Sequence, residues 1–286
     1  MVQAHHQDPL SVSRQFFVEL TAIMIVTLLT DYGPDSEHVG VLHALLARSA
    51  PGARVIDLAH DIPPGDIRAG AVVVGRVVPV CPVGIHVAVV DPGVGTDRRA
   101  VALRDTDGRI HIGPDNGLLT EATPPAGVTI AVDLSGYRVH RPFATFDGRD
   151  VFVPAAIDLL NGSLIDDLGP RIDPASLVRL PRPVNHVAGG HVMSEIVGVD
   201  RFGNVQLGIG GDALVAADLA AGTGVWVTGA DGERRHGVVT RTFGDVPEAG
   251  LAVLVDSHGH LSVAVNRGDA SRFLGRTGAR VRIDRR

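Results

Sequence analysis

Up to about residue 160 the apolar pattern alternates between two periods, and no other feature constrains the fold as much. Short runs at 23–29, 54–58 and 85–90 read as strands. The last, Ile85-His86-Val87-Ala88-Val89-Val90, is rich in β-branched residues and reads as buried on both faces. Between them, 39–50 and 67–78 carry helical spacing. Val39, Leu42, Leu45 and Leu46 recur every three or four residues until Pro51-Gly52 stops the run. Strand, helix, strand, helix, strand predicts a doubly wound, mainly parallel α/β sheet. Residues 101–104 and 109–112 read as a hairpin about Asp107-Gly108. A short helix is expected at 118–121, a strand at 128–132, and a helix at 151–160 capped by Asp150. Beyond Pro181-Arg182-Pro183 the character changes. From Gly190 helical spacing fades, and short runs at 191–199, 205–209, 224–227, 237–242, 252–255, 261–265 and 279–283 alternate with glycine turns. These predict an antiparallel all-β domain, either sandwich or barrel. The expected organisation is a loose N-terminal extension at 1–22, an α/β domain at 23–182 and a β domain at 189–286.

Composition narrows the function classes. A length of 286 residues suits two domains, and 45% hydrophobic against 20% charged residues supports a large core. The net charge of −6 argues against nucleic acid or an anionic membrane as partner. The apolar stretch at 18–29 is interrupted by Glu19 and is too short to span a bilayer. No basic n-region precedes it, and Met24 is a candidate start. Cys81 is the only cysteine, so no intramolecular disulfide forms and a cytoplasmic location is expected. Its setting, Val80-Cys81-Pro82, reads as a small hydrophobe. All 26 basic residues are Arg, which excludes a Schiff-base lysine. Among 13 His, His258 and His260 would share a strand face and His5-His6 are adjacent. Neither pair belongs to a zinc-like spacing, so no metal is expected.

The chemistry concentrates at strand ends. Asp91-Pro92-Gly93-Val94-Gly95-Thr96-Asp97-Arg98-Arg99 follows the buried strand, placing a carboxylate where that strand stops and two arginines after a glycine turn. Ligands of open α/β sheets bind beyond the carboxyl ends of strands. The glycines are not a phosphate loop, since no Lys-Ser/Thr pair follows, nor a dinucleotide fingerprint, since Arg98 stands at its third glycine. Thr30-Asp31-Tyr32-Gly33 repeats the arrangement at the end of the first strand. Taken singly, each segment reads equally well as a turn.

Five segments occur in order: Thr30-Asp31-Tyr32-Gly33, Asp91-Pro92-Gly93-Val94-Gly95-Thr96, Pro114-Asp115-Asn116-Gly117-Leu118-Leu119, Gly148-Arg149-Asp150 and Asp200-Arg201-Phe202-Gly203-Asn204. Together they resemble the S-adenosyl-L-methionine (SAM) hydroxide adenosyltransferases, relatives of the fluorinases and chlorinases, from about residue 24 to the C-terminus. The resemblance implies hydrolysis of SAM to adenosine and methionine without a cofactor, in a homotrimer with sites between subunits. It implies that Asp91 and Arg98 belong to a catalytic Asp-Arg-His set. It also implies that Asp31 binds the ribose hydroxyls and Asp200 the methionine ammonium. Ser257 and His258 would hold the methionine carboxylate. Phe202 and Asn204 would bind adenine, and Arg267 would meet adenine through its backbone.

One position departs from the family. Where it usually reads Phe-His-Gly-Arg-Asp, this chain reads Phe146-Asp147-Gly148-Arg149-Asp150. Either Asp147 serves as the catalytic base or the site is impaired. Two other functions therefore stay open: a halogenase, disfavoured because carboxylates repel a desolvated halide, and a non-catalytic SAM or adenosine binder.

Overall fold

The computed structural model describes residues 25–140 and 144–286. The expected extension at 1–22 and the candidate start Met24 lie outside them. The chain divides into two compact units, the first ending at Leu180 and the second running Pro181–Arg286.

The first unit contains β1 (Ile25–Thr30), α1 (Glu37–Ser49), β2 (Arg54–Ala59), α2 (Ile67–Val77), β3 (Ile85–Val89), β4 (Ala100–Asp105), β5 (Ile110–Pro114), β6 (Val128–Asp133) and α3 (Val153–Leu160). The sheet order is β2-β1-β3-β5-β4-β6. Successive side chains of a strand point to opposite faces, and the core divides accordingly. Val26 and Leu28 pack with Leu42 and Leu46 of α1 and Ala156 of α3, while Leu29 packs with Ala69 and Val74 of α2. Helices thus cover both faces, as a doubly wound sheet requires. Ser36 caps α1 by accepting from the His38 N–H at 3.2 Å, and Asp66 caps α2 through the Ala69 N–H at 2.9 Å.

The sheet is mixed. β2, β1, β3 and β5 are parallel, but β4 pairs antiparallel with both β5 and β6. The cause is the tight Asp105–Arg109 turn, because strands joined by a hairpin must run antiparallel. Two local expectations are corrected. Residues 118–121 form a turn without a helix. There Asn116 Oδ1 accepts from the Leu118 N–H and the Thr120 hydroxyl donates to the Gly117 carbonyl, so side chains take groups a helix would use. Asp150 does not cap α3. It lies inside a π-helical turn, Gly148–Phe152, that precedes the helix, and its carboxylate accepts from Arg149 at 2.6 and 2.8 Å.

The second unit contains β7 (Asn185–Ala188), β8 (His191–Val199), β9 (Val205–Gly210), α4 (Asp212–Ala216), β10 (Gly224–Thr228), β11 (Arg234–Val239), β12 (Leu251–Val255), β13 (His260–Val265), α5 (Ser271–Leu274) and β14 (Arg280–Arg285). Its sheet runs β14-β10-β11-β12-β13-β9-β8-β7, and β14 also pairs with β8, so it closes into a barrel. Val205 with Leu207, Val225 with Val227, and Val281 with Ile283 fill the interior at period two. One pair, β11 with β12, is parallel, against the all-antiparallel expectation.

Candidate active site

In the first unit α1 connects β1 to β2 on one side, and α2 returns the chain to β3 on the other. The strand order therefore reverses between β1 and β3, the place where such sheets bind ligands. Thr30 pairs with Val89, so Asp31 and Asp91 follow the carboxyl ends of neighbouring strands. The sequence put carboxylates at these ends, and the topology puts them side by side.

Arg98 organises the cluster. Its Nε donates to Asp91 Oδ1 at 3.0 Å and its Nη2 to Asp91 Oδ2, a two-point contact. The same Nη2 donates to Asp147 Oδ2 at 2.8 Å, and Nη1 donates to the Arg99 carbonyl at 3.1 Å. The guanidinium carbon stands 5.6 Å above the Phe152 ring. Only 8% of the Arg98 side chain and 1% of that of Asp147 are exposed, so both charges depend on protein partners rather than water. Asp147 makes no capping hydrogen bond although it stands at the head of the π turn; its carboxylate turns to Arg98. Such turns are frequent at functional sites.

Backbone detail fixes these positions. Gly95 is in the left-handed region (φ 82°), and a β-carbon there would lie 2.9 Å from the Ala144 carbonyl oxygen, so only glycine permits the approach. Asn116 Nδ2 donates to the Val90 carbonyl at 2.9 Å, anchoring the residue before Asp91. Arg99 turns elsewhere, to Asp115 at 2.6 Å and to the Ser176 carbonyl, and so is structural. Asp31 Oδ2 accepts from the Gly65 N–H at 2.8 Å.

Tyr32 is a member of the cluster that sequence reasoning passed over, although it lies in the quoted Thr30–Gly33 segment. Its phenol is pushed well above the ordinary range, first by burial and then by the charges of Asp31, Asp91 and Asp147, with Arg98 opposing. The hydroxyl stays protonated and is a donor for an oxygen placed there. A β-carbon at residue 148 would come within 2.6 Å of that hydroxyl, which makes Gly148 a packing requirement.

In the second unit the Asp200–Asn204 turn is tied by its own first residue. Asp200 Oδ1 accepts from the N–H groups of Phe202 and Asn204, and Oδ2 accepts from Asn204 Nδ2 at 2.8 Å. Phe202, 70% exposed, lines a groove of about 740 Å³ with Asn204, Arg267 and Phe243. Arg267 has φ 56°, and its side chain reaches out to Glu248 at 3.5 Å. Phe243, in a short 3-10 turn, was missed because an isolated aromatic in a glycine-rich loop carries no periodic signal. Ser257 and His258 do not join this groove. They occupy the exposed turn before β13, next to Gly210–Gly211, at the opposite end of the β9–β13 pair from Val205.

The model of the SAM hydroxide adenosyltransferase N-terminal domain matches residues 26–169, and that of the C-terminal domain matches 194–282. The chain belongs to the SAM hydroxide adenosyltransferase family. An (R)-S-adenosyl-L-methionine hydrolase of Salinispora arenicola is 45% identical over 252 residues, 87% of this chain and 93% of that one. A fluorinase of Actinopolyspora mzabensis is 26% identical over 270 residues, 85% and 90% of the two chains. An uncharacterised conserved protein of Thermotoga maritima, of known crystal structure, superposes with a TM-score of 0.80 at 33% identity, covering 91% of this chain and all of that one. Asp91, Arg98 and Asp147, whose side chains are in contact, all fall within the matched N-terminal region.

Proposed function

We propose that this SAM hydroxide adenosyltransferase hydrolyses S-adenosyl-L-methionine to adenosine and L-methionine. One observation carries the reading: Arg98 gathers two buried carboxylates at the strand-reversal point beside Asp31. Water attacks the ribose C5′ while the C5′–S bond breaks, and its electron pair leaves on sulfur as the neutral thioether of methionine. No acid is needed for that departure. The water proton passes to a carboxylate, and Asp91 and Asp147 are the candidates; Arg98 holds both in place. Asp31 spends one lone pair on Gly65 and keeps others for the ribose hydroxyls. Adenine is assigned to the Phe202, Asn204 and Arg267 groove, the methionine ammonium to Asp200, and the methionine carboxylate to Ser257 and His258. Besides SAM and the attacking water, the reaction as proposed uses no cofactor.

A halide would meet the buried carboxylates of Asp91 and Asp147 and be repelled, so hydrolysis is favoured over halogenation. Binding without turnover is the second reading, favoured by Asp147 at the family's histidine position. The assembly proposed is a homotrimer with sites between subunits, and the location the cytoplasm. Among the described residues no helix is long and apolar enough to cross a membrane. The test is incubation of the purified protein with SAM, with and without chloride or fluoride, followed by chromatography. Adenosine and methionine in equal amounts support the reading. Halogenated nucleoside, or bound SAM that persists unchanged, would overturn it.

A further inference from the structure

The geometry points to a second site in the first unit: a divalent transition-metal site of the zinc type formed by His43, Asp57 and His60. His43 comes from α1, Asp57 from β2, and His60 from the residue following that strand. Their sequence spacing resembles no zinc motif, and only the packing of α1 beside β2 brings them together. The ligand atoms all lie within 4.8 Å of one another. His43 Nε2 stands 2.9 Å, and His60 Nε2 3.0 Å, from the same oxygen, Asp57 Oδ1. A tetrahedral ion with bonds of about 2.0–2.1 Å holds its ligand atoms roughly 3.3 Å apart, so small side-chain adjustments admit one.

His60 supplies a second, independent observation. Its side chain is 7% exposed, and its Nε2 is buried without a hydrogen-bond partner although Asp57 Oδ1 lies at 3.0 Å. The other ring nitrogen, Nδ1, is 2.8 Å from the Thr30 hydroxyl, which also accepts from the Tyr32 N–H. With the proton on Nδ1, donated to Thr30, the Nε2 lone pair faces a carboxylate, an arrangement that calls for a cation between them. With the proton on Nε2 the ring would instead pair directly with Asp57 at 3.0 Å, the alternative that the metal titration below decides. A ligating histidine typically donates its second N–H to a neighbouring acceptor, as Nδ1 does here. Two imidazoles and one carboxylate suit zinc and its neighbours, whereas calcium and magnesium prefer all-oxygen sets. His43 and Asp57 are 39% and 43% exposed and leave a route of entry and a fourth position for water.

The ion would brace the substrate strand rather than take part in chemistry. The His60 carbonyl accepts from the Gly33 N–H at 2.8 Å, so this residue touches both ends of the Thr30–Gly33 segment that carries Asp31. The proposal stands independently of the hydrolase reading.

The test uses the full chain, stripped with chelator and titrated with Co²⁺, whose visible absorption reports tetrahedral ligation, and then with Zn²⁺. One equivalent of Co²⁺ should bind with that absorption and be displaced by Zn²⁺. The equivalent should be lost in His43→Gln and in Asp57→Asn, whose partly exposed side chains make misfolding a small risk, and circular dichroism checks that. It should persist when His5 and His6 are both replaced by Ala. Zn²⁺ should raise the melting temperature of the parent and leave that of His43→Gln unchanged. No stoichiometric binding, or binding that survives in His43→Gln and Asp57→Asn, overturns the proposal; the three residues are then an ion-pair network.

Discussion

At residue 147 a carboxylate is buried against Arg98, at the position where the resemblance leads one to expect an imidazole. As a general base it lacks the imidazole's reach and its unperturbed pKa of about 6.5, so hydrolysis by this chain should be slow. Asp147→Ala should lower adenosine release by about 10²-fold, the lower end of what a positioned base contributes. Asp147→His should raise the rate and change its pH profile. Rates for all three proteins from about pH 5 to 9, a range spanning histidine titration, decide this. If Asp147→Ala matches the parent and Asp147→His does no better, Asp91 and Arg98 suffice. Asp31→Ala should weaken SAM and adenosine alike by about 1.5–3 kcal/mol, the worth of a charged hydrogen bond; calorimetry showing unchanged affinity for both would remove Asp31 from the site. Asp31, Asp91 and Arg98 were singled out in the sequence because glycine turns after buried strands suggest ligand-facing ends, and their part in binding and turnover is what these variants test. Tyr32 was not singled out, since its burial among three carboxylates comes from β1 and β3 lying side by side.

Among the elements, β3 carries an acid-sensitive group. His86 is buried, 2.9 Å from the Thr27 hydroxyl on β1, and its ring stands 5.6 Å from that of His111 on β5. Burial first, then His111 and Arg109, push its pKa down to about 3, with Asp105 opposing. The folded chain thus keeps His86 neutral while the unfolded chain takes up a proton near pH 6.5. Between those values the unfolded state binds more protons, so this contribution to stability is present above about pH 6.5 and lost as pH falls toward 3. The slope approaches about 1.4 kcal/mol per pH unit. Urea unfolding at pH 7.5 and 5.0 should show a smaller difference for His86→Gln than for the parent, and equal differences would refute the assignment. Most strands were legible from their period. The N-terminal part of β11 was not, because Arg234, Arg235 and His236 are exposed polar residues whose pairing to β10 leaves no apolar trace. The parallel β11–β12 pair depends on where the 240–250 connection runs, which local sequence does not specify.

Across the whole molecule, the chain divides into two compact units at Leu180/Pro181, next to the Pro181-Arg182-Pro183 segment. Barrel closure was not legible, since β14 meets β8 across more than 80 residues, Arg280 with Glu195. Assembly belongs to this scale too. Light scattering should give three chains per particle, and a monomer that binds SAM with full affinity would remove the requirement for neighbouring subunits. Deleting residues 280–286 should leave β10 and β8 without a shared neighbour and unfold the second unit while the first persists. Loss of one thermal transition with retention of the other would be the sign.

That closure also sets an order in time. Because β8 and β10 both wait for β14, the barrel cannot be completed until residues 280–285 have been synthesised. The first unit ends at Leu180 and has no such dependence. At about 5–20 residues per second, it has on the order of 5–20 s to fold before its companion's ring can shut. During that interval β8 is a nascent, half-paired strand with its hydrogen-bonding edge open, the state in which a chain is most exposed to capture by another copy of itself.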